Sequence, residues 1–351
     1  MPIRASAQPA VSIVIACHNC QDTLSRVVES VLRAETHSIQ LLLVDCRSGD
    51  RTLSIARSFE DLDIRVDVLE CDTKDLYEGA GFGISHARGS YISLLDARDW
   101  FSPESLDTLV SYVDTHRSSL ICPNRSIDID LGSGEVKSDK TSYAAFGADD
   151  FHSLSRALPM MLSNGMFASV SGWLIDRDLF DGMDENLAER LQFESVFLLD
   201  CLKRSRSLAV VPLACCHVHG DYLADRYSEK VDQSFDGECS ALSDLASAWK
   251  LTGDSDFARA MAHRIFDLAV FGIENLSLSP KSVGANERNA RVRALLMNEN
   301  VVSALEVLKP RARDLAPLYV PMRKGNVAVC CMTSWMLNLL SPITHVCCLY
   351  S

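Results

Sequence analysis

The 351-residue chain reads as an α/β protein, a parallel sheet flanked by helices, followed by a helical C-terminal region. Three observations predict this. Four apolar, strand-like runs occur at residues 11–15, 41–44, 66–69 and 91–95, spaced so that a helix fits between neighbours. Residues Leu24, Val27, Val28, Val31 and Leu32 recur on one helical face in the first gap. Each run ends in a short polar cluster, and open parallel sheets bind their ligands at the carboxyl ends of the strands. The clusters therefore predict a site as well as a fold.

Taken in order, the first strand ends in Ala16-Cys17-His18-Asn19, and the second in Asp45 to Thr52. The third ends in Asp72-Thr73-Lys74-Asp75. The glycines of Gly79-Ala80-Gly81-Phe82-Gly83 superficially suggest a dinucleotide fingerprint, but that motif needs a strand directly before it and a long helix after it. A loop and short helix feeding the fourth strand fits better, and no Rossmann cofactor is expected. The fourth strand ends in Asp96-Ala97-Arg98-Asp99. Ser102 and Pro103 then cap a helix whose core face is Leu106, Leu109, Val110 and Val113. Ser119 to Asn124 reads as a strand, Asp128 to Lys140 as a polar hairpin or loop, and Pro212-Leu213-Ala214 as the end of a buried strand. From about Tyr222 the pattern turns helical, with Phe257, Met261, Ile265 and Leu268 at core spacing.

Composition narrows the function. An apolar fraction of 47% and a charged fraction of 23% are those of a globular protein large enough for one or two cores. A net charge of -13 argues against a duplex nucleic-acid binder, which needs a basic face. A small phosphorylated ligand responds to local charge and remains compatible. The thirteen cysteines are an odd number, and Met1 to Ala10 carries two prolines and no signal-peptide pattern. Free thiols in a reducing, cytoplasmic setting are expected. Cys17 and Cys20 would make half a zinc site, but no second pair stands at ligand spacing.

The wording of the clusters resembles the family 2 glycosyltransferases, which have the GT-A nucleotide-sugar-binding fold. The resemblance rests on Cys17-His18-Asn19, on Ser30-Val31-Leu32, and on Val44, Asp45, Ser48, Asp50 and Thr52 of the second cluster. Ala87-Arg88-Gly89-Ser90-Tyr91-Ile92 and Leu95-Asp96-Ala97-Arg98-Asp99-Trp100, with Pro103 following, continue it. It is strong over about the first 110 residues, weaker to about His219, and lapses beyond. It implies a GT-A-type mixed, mostly parallel sheet in a domain of residues 8–221. Residues 8–105 would be the nucleotide-sugar half, 106–221 the acceptor half, and 222–351 a separate helical region.

The resemblance also implies roles. His18, Asn19, Asp45, Ser48, Asp96 and Arg98 would bind the donor, His18 with its ring and Asp45 as a carboxylate for a base N–H. Asp96 and Asp99 would hold a divalent cation, manganese or magnesium, against the diphosphate. Met183-Asp184-Glu185-Asn186-Leu187 and then Glu194-Ser195 resemble the family's acceptor motifs. Glu194 would be the general base of an inverting transfer, with Glu189 and Asp200 as alternatives. Val218-His219-Gly220 would place a histidine after the last strand.

Four positions depart from the family pattern: Cys46 and Arg98 stand where aspartates are expected, Gly81 replaces an asparagine, and Ser195 replaces a second carboxylate. Arg98 would either weaken the cation site by repulsion or take over part of the metal's work by binding phosphate. The expected function is transfer of a sugar from a nucleoside diphosphate to a glycan or lipid-linked acceptor, in cell-surface polysaccharide assembly. The alternative is a non-catalytic, glycosyltransferase-like binding or regulatory protein. A nucleotidyltransferase would want a basic triphosphate loop, which the chain lacks. From Gly325 to Ser351 there is no Asp, Glu, Lys or Arg, and Lys309, Arg311, Arg313, Arg323 and Lys324 precede this stretch. That pattern suits either peripheral contact with the inner face of an anionic membrane or a packed C-terminal helix.

Overall fold

The structure, a computed structural model, describes residues 8–36, 38–130, 136–141, 143–183, 186–221, 229–279, 283–309 and 317–340. The chain folds as two compact units, residues 1–154 with 169–219, and residues 155–168 with 220–351.

The first unit begins with β1 (Val11–Cys17), α1 (Leu24–Leu32), β2 (Ile39–Cys46), α2 (Thr52–Leu62), β3 (Val66–Cys71), α3 (Leu76–His86) and β4 (Tyr91–Leu94). These βαβ crossovers make a parallel sheet in the order β3-β2-β1-β4, with Val11 level with Ile39 on one side and with Tyr91 on the other. β1 and β2 are buried almost throughout, so they read as continuous apolar runs rather than alternating ones. α1 lays its Leu24, Val27, Val28 and Val31 stripe on the sheet.

Continuing come β5 (Trp100–Phe101), α4 (Ser105–Thr115), β6 (Leu120–Asp130), β7 (Val136–Thr141), β8 (Phe146–Ala148), α5 (Phe151–Ser163, most of it assigned to the second unit), β9 (Leu174–Asp176), α6 (Leu187–Leu191), α7 (Glu194–Arg204) and β10 (Leu208–Asp221), whose strands complete the sheet. Its order is β3-β2-β1-β4-β9-β6-β10-β5, with β7 on β6 and β8 on β10. Beyond β4 the pairings with β9, and of β9 with β6, are antiparallel. The sheet is thus mixed, with the expected parallel strands forming one half. The expected hairpin is β6 with β7, Asp130 opposite Val136; residues 131–135 lie outside the described residues.

Three elements differ from expectation. α4 starts at Ser105 with Glu104 at its cap position, not at Ser102 and Pro103, and β10 runs past Pro212-Leu213-Ala214 to Asp221 rather than ending there. The glycine-rich stretch is an eleven-residue helix, α3, not a loop and short helix. Asp75 caps it by accepting the N–H groups of Tyr77 and Glu78. Gly79 and Gly83 lie against the sheet: an added Cβ would come within 2.2 Å of Cys46 Sγ or 2.5 Å of Val14 Cγ1. The glycines let a helix approach the strands, which explains them without a nucleotide fingerprint.

The second unit contains α8 (Val231–Ala248), α9 (Ser255–Ser277), α10 (Ala285–Met297), α11 (Glu299–Leu308), α12 (Tyr319–Arg323) and α13 (Val327–Leu340). Its core includes Phe235, Ile265, Leu268, Ile273, Leu305 and Tyr319. Glu238 and Arg264 form a buried bidentate pair, at 2.6 and 3.1 Å. No helix among the described residues is long and apolar enough to cross a membrane.

Candidate functional site

β1 lies between β2 and β4, so residues just past these three strands share one edge of the sheet. At the ends of β1 and β2 two loops lock each other. Asn19, at φ 51°, donates its N–H to Ser48 Oγ at 3.1 Å and accepts the Gly49 N–H on Oδ1 at 2.7 Å. His18 Nδ1 is 2.7 Å from the Cys46 carbonyl, which only accepts, so Nδ1 carries the proton and Nε2 accepts from the Asn19 amide at 3.1 Å. Asp45 is 5% exposed. Its Oδ2 accepts the Ser48 N–H at 3.2 Å, whereas its Oδ1 is buried with no hydrogen-bond partner among the described residues. An acceptor left in that state costs stability unless something else fills it.

At the end of β4 a turn is closed by the Asp99 N–H donating to the Asp96 carbonyl at 3.0 Å. Arg98 folds back on Asp96, placing its backbone N–H 2.9 Å and its Nε 3.0 Å from the same Oδ1. Arg26 of α1 donates to the Arg98 carbonyl at 2.9 Å, while its guanidinium lies 4.0 Å from the centre of the Trp100 ring. Trp100 in turn stacks on His217, which bonds Ser102 at 2.9 Å and Asp128 at 2.8 Å. Asp99 is 3% exposed and accepts the His219 N–H on Oδ1 at 2.7 Å. Burial first, and the Asp96 charge second, push the Asp99 carboxyl up to about 8.

Asp96 and Asp99 line a cleft of about 330 Å³ with Glu194, Asp75, Tyr77 and Ser171. Glu194 opens α7, and its Oε2 accepts the Val170 N–H at 2.8 Å. Burial raises its pKa above the usual carboxylate value, and the Val170 N–H counteracts this in part. Val170 and Ser171 reach the cleft because the next residue, Gly172, donates its N–H to the last carbonyl of β4, that of Leu94, at 3.0 Å. At φ +79° and with Cys216 where a Cβ would go, this position needs glycine.

The structure therefore brings Asp96, Asp99 and Glu194 to one cleft. His18, Asn19, Asp45 and Ser48 do not line it; they cluster at the neighbouring ends of β1 and β2. Two strand spacings, about 10 Å, separate β2 from β4. Arg98 borders the cleft through its bond to Asp96. Asp200 is held by ion pairs to Arg190 and to Lys203. Glu189 lines a separate hollow with Asp75 and Glu78, and residues 184–185 of the acceptor motif lie outside the described residues. Sequence reasoning missed Tyr77 and Ser171. Asp75 stood in a polar cluster at a strand end, but nothing local marks Ser171.

The two carboxylates are partly engaged where a divalent cation would need them. Such an ion is held by one or two carboxylates together with phosphate oxygens and water, and here Asp96 Oδ1 already receives two donors from Arg98 while Asp99 Oδ1 receives the His219 N–H. A fixed positive charge stands beside them. Among the described residues, no group of three or more His, Cys, Asp or Glu is placed to hold a metal ion.

Residues 12–182 match the family described as Glycosyl transferase family 2. That segment belongs to glycosyl transferase family 2. The chain is 32% identical over 111 residues to the putative glycosyltransferase EpsE of Bacillus subtilis (strain 168), an alignment covering 31% of this chain and 40% of that one. It is 29% identical over 123 residues to the succinoglycan biosynthesis protein ExoO of Rhizobium meliloti (strain 1021), covering 34% of each. The chain thus matches well under half the length of these relatives. In fold it is similar to a crystal structure of S. aureus TarS 1-349 in complex with UDP-GlcNAc, with a TM-score of 0.60 at 13% identity, covering 94% of this chain and 91% of that one.

Within the family 2 segment, some departures from the usual motif have a packing cause. Cys46 is fully buried beneath Gly79 of α3, and burial pushes its thiol up to about 11. A carboxylate there would be desolvated without a partner. Gly81 faces Leu187. The eleven cysteines among the described residues are free thiols, including Cys17 and Cys20.

Proposed function

We propose that this protein transfers a sugar from a nucleoside diphosphate donor to a hydroxyl of a glycan or lipid-linked acceptor, with inversion, in cell-surface polysaccharide assembly. The observation that carries this reading is the meeting of Asp96, Asp99 and Glu194 in one cleft at the carboxyl edge of β1 and β4. The nucleoside would lie toward the β1–β2 loops, where the unpartnered Asp45 Oδ1 suits a base N–H and His18 supplies a ring. The diphosphate and sugar would then lie over Asp96 and Arg98.

Glu194 is the base in this reading. The acceptor oxygen attacks the anomeric carbon as its proton passes to a Glu194 carboxylate oxygen. The bond from that carbon to the diphosphate breaks, and the electron pair leaves on phosphate. A single displacement from the opposite face inverts the configuration. Burial makes Glu194 more basic than an exposed carboxylate, which suits it to the task.

The C-terminal helix supports a peripheral membrane contact. Val327, Cys330 and Ser334 face the core, while Met332, Trp335 and Met336 are exposed, and Arg323 and Lys324 stand before the helix. An apolar face with an interfacial tryptophan and nearby cations suits an anionic lipid surface. Residues 310–316 and 341–351 of the tail lie outside the described residues.

The test is a thermal-shift panel of nucleotides and nucleotide-sugars on the full chain, followed by transfer assays with product anomers read by NMR. Stabilisation by one nucleoside diphosphate and an inverted product are expected. Binding without transfer, across broad donor and acceptor panels, would favour the non-catalytic alternative instead.

A further inference from the structure

Arg98 sits where the family pattern has an aspartate. We propose that Arg98 takes the place of the divalent cation, so that its guanidinium binds the donor diphosphate directly and the site binds nucleoside diphosphates without metal. This rests on the reading of the cleft as a nucleotide-sugar site.

Three features of the turn carry the inference. Arg98 directs both its backbone N–H and its Nε to one oxygen of Asp96, at 2.9 and 3.0 Å, which fixes the side chain above the carboxylate. Its carbonyl is held from the other side by Arg26, itself lying on Trp100, so backbone and side chain are both pinned before any ligand arrives. The Arg98 side chain is 40% exposed and lies on Asp96, which lines the cleft.

The chemistry follows from that placement. A diphosphate leaving group needs positive charge close to its oxygens, and a planar guanidinium supplies charge together with paired N–H donors matched to phosphate. Asp96, which would otherwise ligate a metal, here orients that guanidinium. A divalent ion brought to the same carboxylate would either displace Arg98 from Oδ1 or take Oδ2, and in both cases would stand beside a like charge. Asp99 offers little help, because it is 3% exposed and its Oδ1 is committed to the His219 N–H. The pair that the family pattern would use for a cation is thus divided here: one member holds the arginine and the other holds the end of β10.

Calorimetry on the full chain tests this with uridine, guanosine, cytidine and thymidine diphosphates, each in excess EDTA and in excess manganese. The diphosphate that binds is expected to do so equally in both buffers. Arg98→Gln should weaken it roughly 10- to 100-fold, the size of a lost charge-assisted hydrogen bond. Arg98→Lys, which keeps the charge but not the fork, should fall between. Arg98→Asp should bind only when manganese is present, and electron paramagnetic resonance should detect manganese on that variant but not on the wild type. Circular dichroism melts of all three variants check that the fold survives. Loss of wild-type binding in EDTA, or wild-type affinity in Arg98→Gln, would overturn the inference while leaving the nucleotide-sugar reading intact. If no diphosphate binds the wild type in either buffer, both readings fall together.

Discussion

The buried carboxyl of Asp99 accepts the backbone N–H of His219 at 2.7 Å, joining the turn after β4 to the end of β10 across 120 residues of chain. The bond pins the wall of the cleft at a point where a strand end meets an antiparallel strand. It also ties the ionisation of Asp99 to the stability of that junction.

Asp99→Asn preserves shape and an acceptor for the His219 N–H, so below about pH 4, where the wild-type carboxyl is protonated in both states, it should change stability by less than about 1 kcal/mol. Asp99→Ala leaves a buried donor unpaired and should cost about 1–3 kcal/mol. The sign of the pH effect follows from the raised value of about 8. The native state holds its proton where the unfolded chain has lost it. The stability is therefore fully present below the unfolded value of 3.8 and is lost as pH rises through about 8. Urea melts should show Asp99→Asn gaining on the wild type as pH rises from about 4 to about 8, with the advantage level above that.

Glu194→Gln keeps size but removes basicity, and should lower transfer by roughly 10²–10⁴-fold with donor affinity unchanged. The acid limb of the wild-type rate profile should lie above the ordinary glutamate value of 4.5, because burial raises the Glu194 carboxyl and activity falls as it protonates. Retained activity in the variant would move the base to Glu189 or Asp200.

Gly83→Ala should destabilise the first unit by about 1–3 kcal/mol through overpacking, even though alanine favours a helix by about 1 kcal/mol. The added methyl meets Val14 Cγ1 at 2.5 Å and Val44 Cγ2 at 2.9 Å. Combining it with Val14→Ala should recover part of the loss, and a double-mutant cycle from denaturant melts reads the coupling.

Arg264→Ala strands Glu238, 2% exposed, without its bidentate partner and should cost about 3–5 kcal/mol. Replacing both residues with apolar side chains of similar volume should cost far less, which equilibrium melts of the single and double variants would distinguish.

Trp335→Ala together with Met332→Ser should reduce co-sedimentation with anionic liposomes while leaving the melting temperature within a few degrees. Both side chains are more than half exposed. Deleting residues 325–351, by contrast, removes Val327 and Cys330 from the helical core and should unfold the second unit. Liposome binding unchanged by the double substitution would make the helix purely structural.

Much of the site was legible before the fold was known because its parts lie at strand ends. Asp45 and Asp96 each follow an apolar run directly, with Asp99 three residues further on, and β strands and helices announce themselves through local periodicity. The glycines of α3 were harder. They suggested a loop, since a helix with three glycines has low intrinsic propensity. Packing reversed that, because Gly79 and Gly83 let the helix lie against Cys46, Val14 and Val44. Ser171 was invisible for a different reason: it reaches the cleft only through the bond of Gly172 to Leu94, between segments far apart in the chain.

The sequence alone determined the α/β alternation, the parallel half of the sheet and the carboxylates at its edge, because these depend on side-chain period and on residues that neighbour one another. It also marked Arg98 as out of pattern, but left open whether it would disrupt the turn or serve it. The tertiary structure decided that Arg98 lies on Asp96 and is steadied by Arg26, that Asp99 is turned inward to His219, and that Glu194 rather than Asp200 faces the cleft. Apart from the Arg98–Asp96 contact, these relations join residues separated by tens of positions along the chain. Their geometry comes from how helices and strands pack, and no local pattern encodes it.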